Sequence, residues 1–126
     1  MTQRALVLFA HGARDPQWAQ PFQKLREMIV QQMPDVPVSL AFLELMTPRL
    51  PERVQQLVQD GCIDVTVVPV FFGQGGHVLR DLPVMIDQLR KDHPGLTLKV
   101  AEAVGESAQV LNAIAQYCIG ALNQEP

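Results

Sequence analysis

A chain of 126 residues with 48% hydrophobic and 18% charged side chains is long enough for one domain with a buried core and too apolar for disorder. A net charge of −3 argues against a nucleic-acid or anionic-membrane surface, since both need clustered Lys and Arg. No apolar run approaches the ~20 residues that cross a bilayer.

Residues 4–10 (RALVLFA) form a continuous apolar run, the pattern of a strand buried on both faces. The stretch lacks a following small-residue cleavage site, so it reads as a first strand rather than a secretion signal, and the cytoplasm is the expected compartment. After the loop HGARDP, residues 17–33 place Trp18, Phe22, Leu25, Ile29 and Met33 at helical spacing before Pro34 ends the helix. Residues 36–43 (VPVSLAFL) predict a second strand, with Pro37 suiting an edge position. Thr47-Pro48 is expected to cap and open the next helix, which turns Leu50, Val54, Leu57 and Val58 inward and stops near Gly61.

Residues 63–72 (IDVTVVPVFF) carry the strongest strand pattern, with Pro69 predicting a bulge or irregularity. The loop GQGGH (73–77) leads into a helix over roughly 78–92, with Pro83 expected in its first turn and Leu82, Met85, Ile86 and Leu89 facing the core. Residues 96–101 (LTLKVA) predict a fourth strand. A last helix over roughly 107–121, capped by Ser107, is expected to pack Val110, Leu111, Ile114 and Ala115 against the sheet. Cys62 and Cys118 show no C-x-x-C spacing and read as reduced, packed thiols. The whole, residues 1–126, reads as a single α/β domain: an open parallel four-stranded sheet, flavodoxin-like, in the order 2-1-3-4 with helices on both faces.

In such a sheet the loops after the first and third strands diverge and leave a crevice at the carboxyl ends. Those loops carry His11 and His77, and neighbouring strands lie ~4.8 Å apart, so two imidazoles there can share one small ligand or ion. A histidine alone at a strand end is more often a hydrogen-bonding loop residue; the joint placement is what favours function. Gly73, Gly75 and Gly76 permit close backbone approach to a flat or anionic ligand, although a tight turn explains glycines equally well and the order matches no nucleotide fingerprint. Glu44 follows the second strand to the same rim, where it reads either as an exposed carboxylate or as a metal ligand or proton relay. Arg14, Arg49 and Arg80 are placed to hold substrate carboxylates, while Asp15 and Asp81 offer them simple pairing or capping. His93, before Pro94, reads as a helix-end cation. There is no structural-zinc spacing and no serine near either rim histidine.

The strings LVLFAHGARDP, AFLELMTPRLPE and VVPVFFGQGGHVLRDLP, in that order, resemble the short CbiX-type sirohydrochlorin chelatases, single-domain members of the class II tetrapyrrole chelatases. Ala13 stands where many relatives have Ser. The resemblance implies insertion of a divalent metal into sirohydrochlorin, cobalt for cobalamin or iron for sirohaem. It implies that His11 and His77 are the metal-binding pair, with His11 also the proton acceptor and Glu44 assisting. Residues 72–77, including Phe72, Gly73, Gln74, Gly75 and Gly76, would line the macrocycle. The metal (cobalt, iron or nickel) would be a substrate, with no permanently bound cofactor, and a chain of this length would be a homodimer replacing the fused halves of larger members. Two other readings compete: a carrier that binds metal or tetrapyrrole without catalysis, and a degenerate subunit supporting an active partner.

Overall fold

The computed structural model describes residues 3–73 and 75–125; the side chains of His77 and Leu79 lie outside that description. Four strands, β1 (Arg4–Ala10), β2 (Val38–Phe42), β3 (Asp64–Pro69) and β4 (Thr97–Val100), form one parallel sheet in the order β2-β1-β3-β4, as the sequence predicts. β1 is central: Leu6 is in register with Val38 on one side and Thr66 on the other. Apolar residues at successive positions of β1 therefore feed two different cores.

Val7 and Phe9 join Val65, Val67 and Leu98 on one face, under α2 (Leu50–Gln59) and α3 (Gly76–Asp92). Leu8 and Ala10 join Leu40 and Phe42 on the other, against Trp18 and the Phe22, Ile29 and Val30 side chains of α1 (Gln20–Gln32). Right-handed crossovers account for this division, because β1→β2 runs one way across the sheet while β2→β3 and β3→β4 run the other. The inward residues expected of α2 are found, with Leu50, Val54 and Leu57 buried and Val58 half-buried. Gly61 closes that helix at φ +98°, a conformation that suits only glycine well. Leu82, Ile86 and Leu89 of α3 are likewise buried.

Several boundaries differ from expectation for local reasons. The first helical stretch is split: a 3-10 turn at Pro16–Ala19, capped by the Asp15 carboxylate accepting from the Gln17 N–H at 2.9 Å, precedes α1. Leu25 and Met33 remain partly exposed. Thr47-Pro48 does not open α2. The Phe42 N–H donates to the Pro48 carbonyl at 2.9 Å, holding this segment extended beside the end of β2, so that Arg49 becomes the N-cap and Pro51 occupies the first turn. α3 begins at Gly76, which puts Pro83 in its interior rather than its first turn. Pro69 causes no bulge. The Val70 N–H reaches the Phe9 carbonyl at 2.8 Å, so the missing N–H of Pro69 faces the β4 side, where pairing has already ended at Val67–Val100.

The largest departure is α4 (Ala108–Leu122). Ser107 caps it as expected, its Oγ accepting from the Val110 N–H at 3.4 Å, yet no residue of the helix is buried. Val110 is half-buried, Leu111, Ile114 and Ala115 are exposed, and the helix does not cover the sheet. Its extensive contact is with the short 3-10 turn Val104–Glu106 that precedes it.

Candidate active site

The carboxyl ends of β1 and β3 are hydrogen-bonded neighbours, and the residues that leave them define one rim of the sheet. His11 follows directly on β1 and is half-buried. Its ring rests on that of Phe71, with centroids 4.6 Å apart and planes at 44°. Phe71 is itself buried and meets Phe9 edge-on at 6.0 Å, so the histidine stands on a rigid apolar base.

Gly12 explains why the dipeptide His-Gly is needed here. Its φ is +94°, and a Cβ built on it would lie 1.8 Å from the Glu44 carbonyl oxygen. The two rim segments are joined at this point, the Leu43 N–H donating to the Ala10 carbonyl at 2.9 Å and the Glu44 N–H to the His11 carbonyl at 3.0 Å. Glu44 is thus pinned by its backbone beside His11 while its side chain is exposed. Leu45, at φ +67°, completes the tight exit from β2.

On the β3 side, Phe72 is 62% exposed, in contrast to the buried Phe71 before it. A second close approach supports this segment: the Gly105 N–H donates to the Phe71 carbonyl at 3.3 Å, and a Cβ on Gly105 would fall 1.7 Å from the Phe72 carbonyl oxygen. The glycine loop is shorter than the sequence pattern implies. Gly73 and Gly75 are exposed, Gly75 is the N-cap, and Gly76 and His77 start α3. His77 therefore belongs to the first helical turn, whose free N–H groups face outward from the helix end. The His77 side chain and all of Gln74 fall outside the described residues.

The rim arginines differ in how far they are committed. Arg49 donates from Nε to the Leu43 carbonyl at 3.2 Å, while its main-chain N–H is held by Glu52 at 3.0 Å. Arg80 Nε lies 3.5 Å from the Asp81 carboxylate at the surface, and Arg14 is exposed. Asp15 serves as a cap rather than as an arginine partner. Sequence reasoning missed Phe71, Gly12 and Gly105 as site-forming residues. The signal for the first was the Phe71-Phe72 pair at a strand end; the glycines act through contacts remote in sequence.

Away from this rim, His93 caps the end of α3, its N–H donating to the Leu89 carbonyl at 3.0 Å. A cavity of about 350 Å3 lined by Cys62, His93 and Pro94 lies at the opposite end of the sheet. Cys62 is buried, and loss of solvation, reinforced by the Asp60 carboxylate, pushes its thiol pKa up. Cys118 is exposed on α4, so only one of the two thiols is packed as expected. Among the described residues there is no group of three or more His, Cys, Asp or Glu side chains disposed to hold a metal ion, and no helix long and apolar enough to cross a membrane.

Comparison with known proteins places this rim in context. Residues 5–119 match the CbiX family model. The chain is 35% identical over 82 residues to a sirohydrochlorin cobaltochelatase of Methanopyrus kandleri, a match covering 65% of this chain and 57% of that protein. It is 27% identical over 120 residues to the sirohydrochlorin cobaltochelatase of Sulfolobus acidocaldarius, covering 95% and 94%. Thus the chain spans little more than half of the first relative's length and nearly all of the second's. Among solved structures, a putative cobalamin (vitamin B12) biosynthesis CbiX protein from Marinobacter aquaeolei superposes with a TM-score of 0.82 at 32% identity, covering 97% of this chain and 99% of that one. The structure of SirB from Bacillus subtilis with Fe3+ shares the fold at a TM-score of 0.73 and 24% identity, covering 92% of this chain and 46% of that one. With the family model matched over most of its length, the chain belongs to the CbiX family.

Proposed function

We propose that this chain is a sirohydrochlorin chelatase, a lyase-type enzyme that inserts a divalent metal into the tetrapyrrole. The observation that carries the reading is the imidazole of His11, half-buried on Phe71 at the carboxyl end of β1, on the rim where β3 leads through a glycine loop to His77. The metal, cobalt for cobalamin or iron for sirohaem, with nickel also chemically acceptable to imidazole, is a substrate that must leave with the product. A site with few protein ligands suits an ion in transit. The relatives named sirohydrochlorin cobaltochelatase support the same reaction class.

Insertion requires the macrocycle to lose two N–H protons while the hydrated metal sheds water. Neutral imidazole performs both tasks, as ligand and as proton acceptor. His11 takes the proton-accepting role, His77 supplies the second metal-binding nitrogen from the first turn of α3, and Glu44 assists proton removal from beside His11. Phe72 offers an exposed apolar face to the flat macrocycle, next to Gly73, Gln74, Gly75 and Gly76. Arg14, Arg49 and Arg80 meet the substrate's peripheral carboxylates, Arg49 with the guanidinium nitrogens not used on Leu43.

The reading includes a cytoplasmic homodimer in which each chain, residues 1–126, is one chelatase domain. It is supported by the match of nearly the whole chain to under half of the Bacillus subtilis SirB structure. The decisive experiment is spectroscopic titration with sirohydrochlorin and cobalt(II), run beside iron(II) under anaerobic conditions. Turnover to the metallated spectrum is expected; saturable binding without conversion would make the protein a carrier instead.

A further inference from the structure

β2 pairs with β1 alone and forms one edge of the sheet. The Leu6 N–H donates to the Pro37 carbonyl at 3.0 Å and the Leu43 N–H to the Ala10 carbonyl at 2.9 Å, so Pro37, Ser39, Ala41 and Leu43 turn their peptide groups toward β1. Val38, Leu40 and Phe42 turn theirs to the free edge. Two of these outward groups are taken: the Val38 carbonyl accepts from Arg26 Nε at 2.6 Å, and the Phe42 N–H donates to the Pro48 carbonyl at 2.9 Å. The edge is thus blocked on either side of Leu40, which leaves room for a small ligand and none for an added strand.

A cavity of about 390 Å3 lies at this edge, a volume within the roughly 300–1,000 Å3 of small-molecule sites. Three elements supply its polar wall: Arg26 from α1, Ser39 from β2 and Arg53 from α2. Leu40 and Phe42 belong to the core on the α1 side, so by strand alternation Ser39 points to the α2 side. The cavity therefore wraps around the strand edge, and arginines from both faces of the sheet line it. It shares no residue with the rim of His11 and Glu44.

The positive charge on this wall has no counterpart. No carboxylate lines the cavity, and among the described residues neither guanidinium forms an ion pair. Arg53 Nε and Ser39 Oγ are both withdrawn from solvent without a hydrogen-bond partner. Arg26 commits only its Nε, to Val38, and keeps its terminal nitrogens for another acceptor. A guanidinium that loses water and gains no acceptor is unfavourable, and folded proteins leave few such groups. Two arginines around one cavity, in a chain of net charge −3, define a local anion site rather than a general basic surface.

We propose that this cavity binds a phosphoryl group, held by Arg26, Arg53 and Ser39. A planar carboxylate is saturated by a single guanidinium fork, whereas the tetrahedral oxygens of a phosphoryl group accept from donors that converge from separate directions. Here the donors come from α1, α2 and β2, and the outward N–H of Leu40 adds one from the main chain. The cavity is larger than a bare phosphate, so a small phosphate monoester fits it as well as the inorganic ion. The bound anion ties α1 to α2 across the edge strand. This site is independent of metal insertion and needs neither metal nor tetrapyrrole.

The test is calorimetric titration of the full chain with inorganic phosphate at constant ionic strength and without added metal. One saturable site is expected, and the thermal midpoint is expected to rise with phosphate. Arg26→Gln and Arg53→Gln are each expected to weaken binding about tenfold or more, and Arg14→Gln, at the rim, to leave it unchanged. Arg53→Lys keeps the charge but not the fork; it is expected to fold as the parent does by circular dichroism and to lose most of the affinity. Glycerol phosphate as a second titrant identifies the source: tighter binding than inorganic phosphate points to a monoester, equal or weaker binding to the free ion. Absence of saturable binding would overturn the proposal. So would binding lost in Arg14→Gln but kept in Arg26→Gln and Arg53→Gln, which puts the anion at the rim, or succinate bound in preference to phosphate, which makes the cavity a carboxylate site.

Discussion

The imidazole of His11 is seated on the ring of Phe71, 4.6 Å between centroids, and Phe71 is in turn seated on Phe9. A histidine half-buried against an apolar ring remains partly open to solvent. His11→Ala is therefore expected to lower metal insertion by about 100-fold or more and to leave the thermal midpoint within a few degrees. Phe71→Ala, in contrast, removes a buried ring and is expected to cost about 3–5 kcal/mol. Denaturant unfolding beside initial rates separates the two effects; equal loss of stability in both variants would contradict this division.

The second imidazole is tested in the same way. His77 stands in the first turn of α3. His77→Ala is expected to abolish insertion with the fold intact by circular dichroism. An unchanged rate would remove His77 from the metal-binding pair.

Gly12 joins the two halves of the rim. Alanine at this position would have to adopt a φ of +94° and to displace the Glu44 backbone, which lies 1.8 Å from the added Cβ. Strain and overpacking together predict a loss of about 3 kcal/mol for Gly12→Ala, with Glu44 moved away from His11. Gly61→Ala controls for the torsion alone, since φ is +98° there but nothing lies within 4 Å of a Cβ. It is expected to cost about 1 kcal/mol, and urea midpoints for the two variants give the comparison directly.

These contacts also mark where sequence patterns stop being informative. β1 was legible because a strand buried on both faces has to be largely apolar, β3 because Val65 to Val68 are all β-branched, and the order of the strands follows from the hand of the crossovers. The inward faces of α2 and α3 were legible from their 3.6-residue period. The start of α2 was not, because Thr47-Pro48 looks like a helix opening and only the Phe42 N–H, taken up by the Pro48 carbonyl, decides otherwise. Nor could periodicity show that α4 leaves its own sheet: an apolar stripe specifies that something covers it, not which surface does. At the rim, His11 and Glu44 stood out as polar residues at strand ends, whereas Phe71 had the look of ordinary core.

Phe72 and Gly105 yield a prediction about substrate rather than fold. Phe72 is the exposed aromatic next to the glycine loop, and the backbone of Gly105 lies directly against it. Phe72→Ala deletes a ring that is mostly exposed, so stability is expected to hold within about 1 kcal/mol while KM for the tetrapyrrole rises and KM for the metal does not. Gly105→Ala is expected to raise the same KM by pushing the Phe72 backbone aside, at an additional cost of about 1–3 kcal/mol. A rise in the metal's KM instead would place the macrocycle elsewhere.

The buried thiol of Cys62 gives a pH dependence whose sign is fixed by its surroundings. Burial, and secondarily the Asp60 carboxylate, disfavour the thiolate in the folded chain, so the folded pKa is above that of the unfolded chain. The unfolded state then releases its proton first as pH rises. The contribution of Cys62 to stability is complete below the ordinary thiol range and declines until the folded pKa is passed. Urea midpoints measured at neutral and strongly alkaline pH are expected to fall further for the parent than for Cys62→Ala, although the variant is the less stable of the two at neutral pH because it leaves a small cavity. Maleimide labelling provides the kinetic counterpart: in the native protein Cys62 is expected to react at least tenfold more slowly than in urea. Equal alkaline losses in parent and variant, together with rapid native labelling, would mean that the thiol is neither desolvated nor shielded.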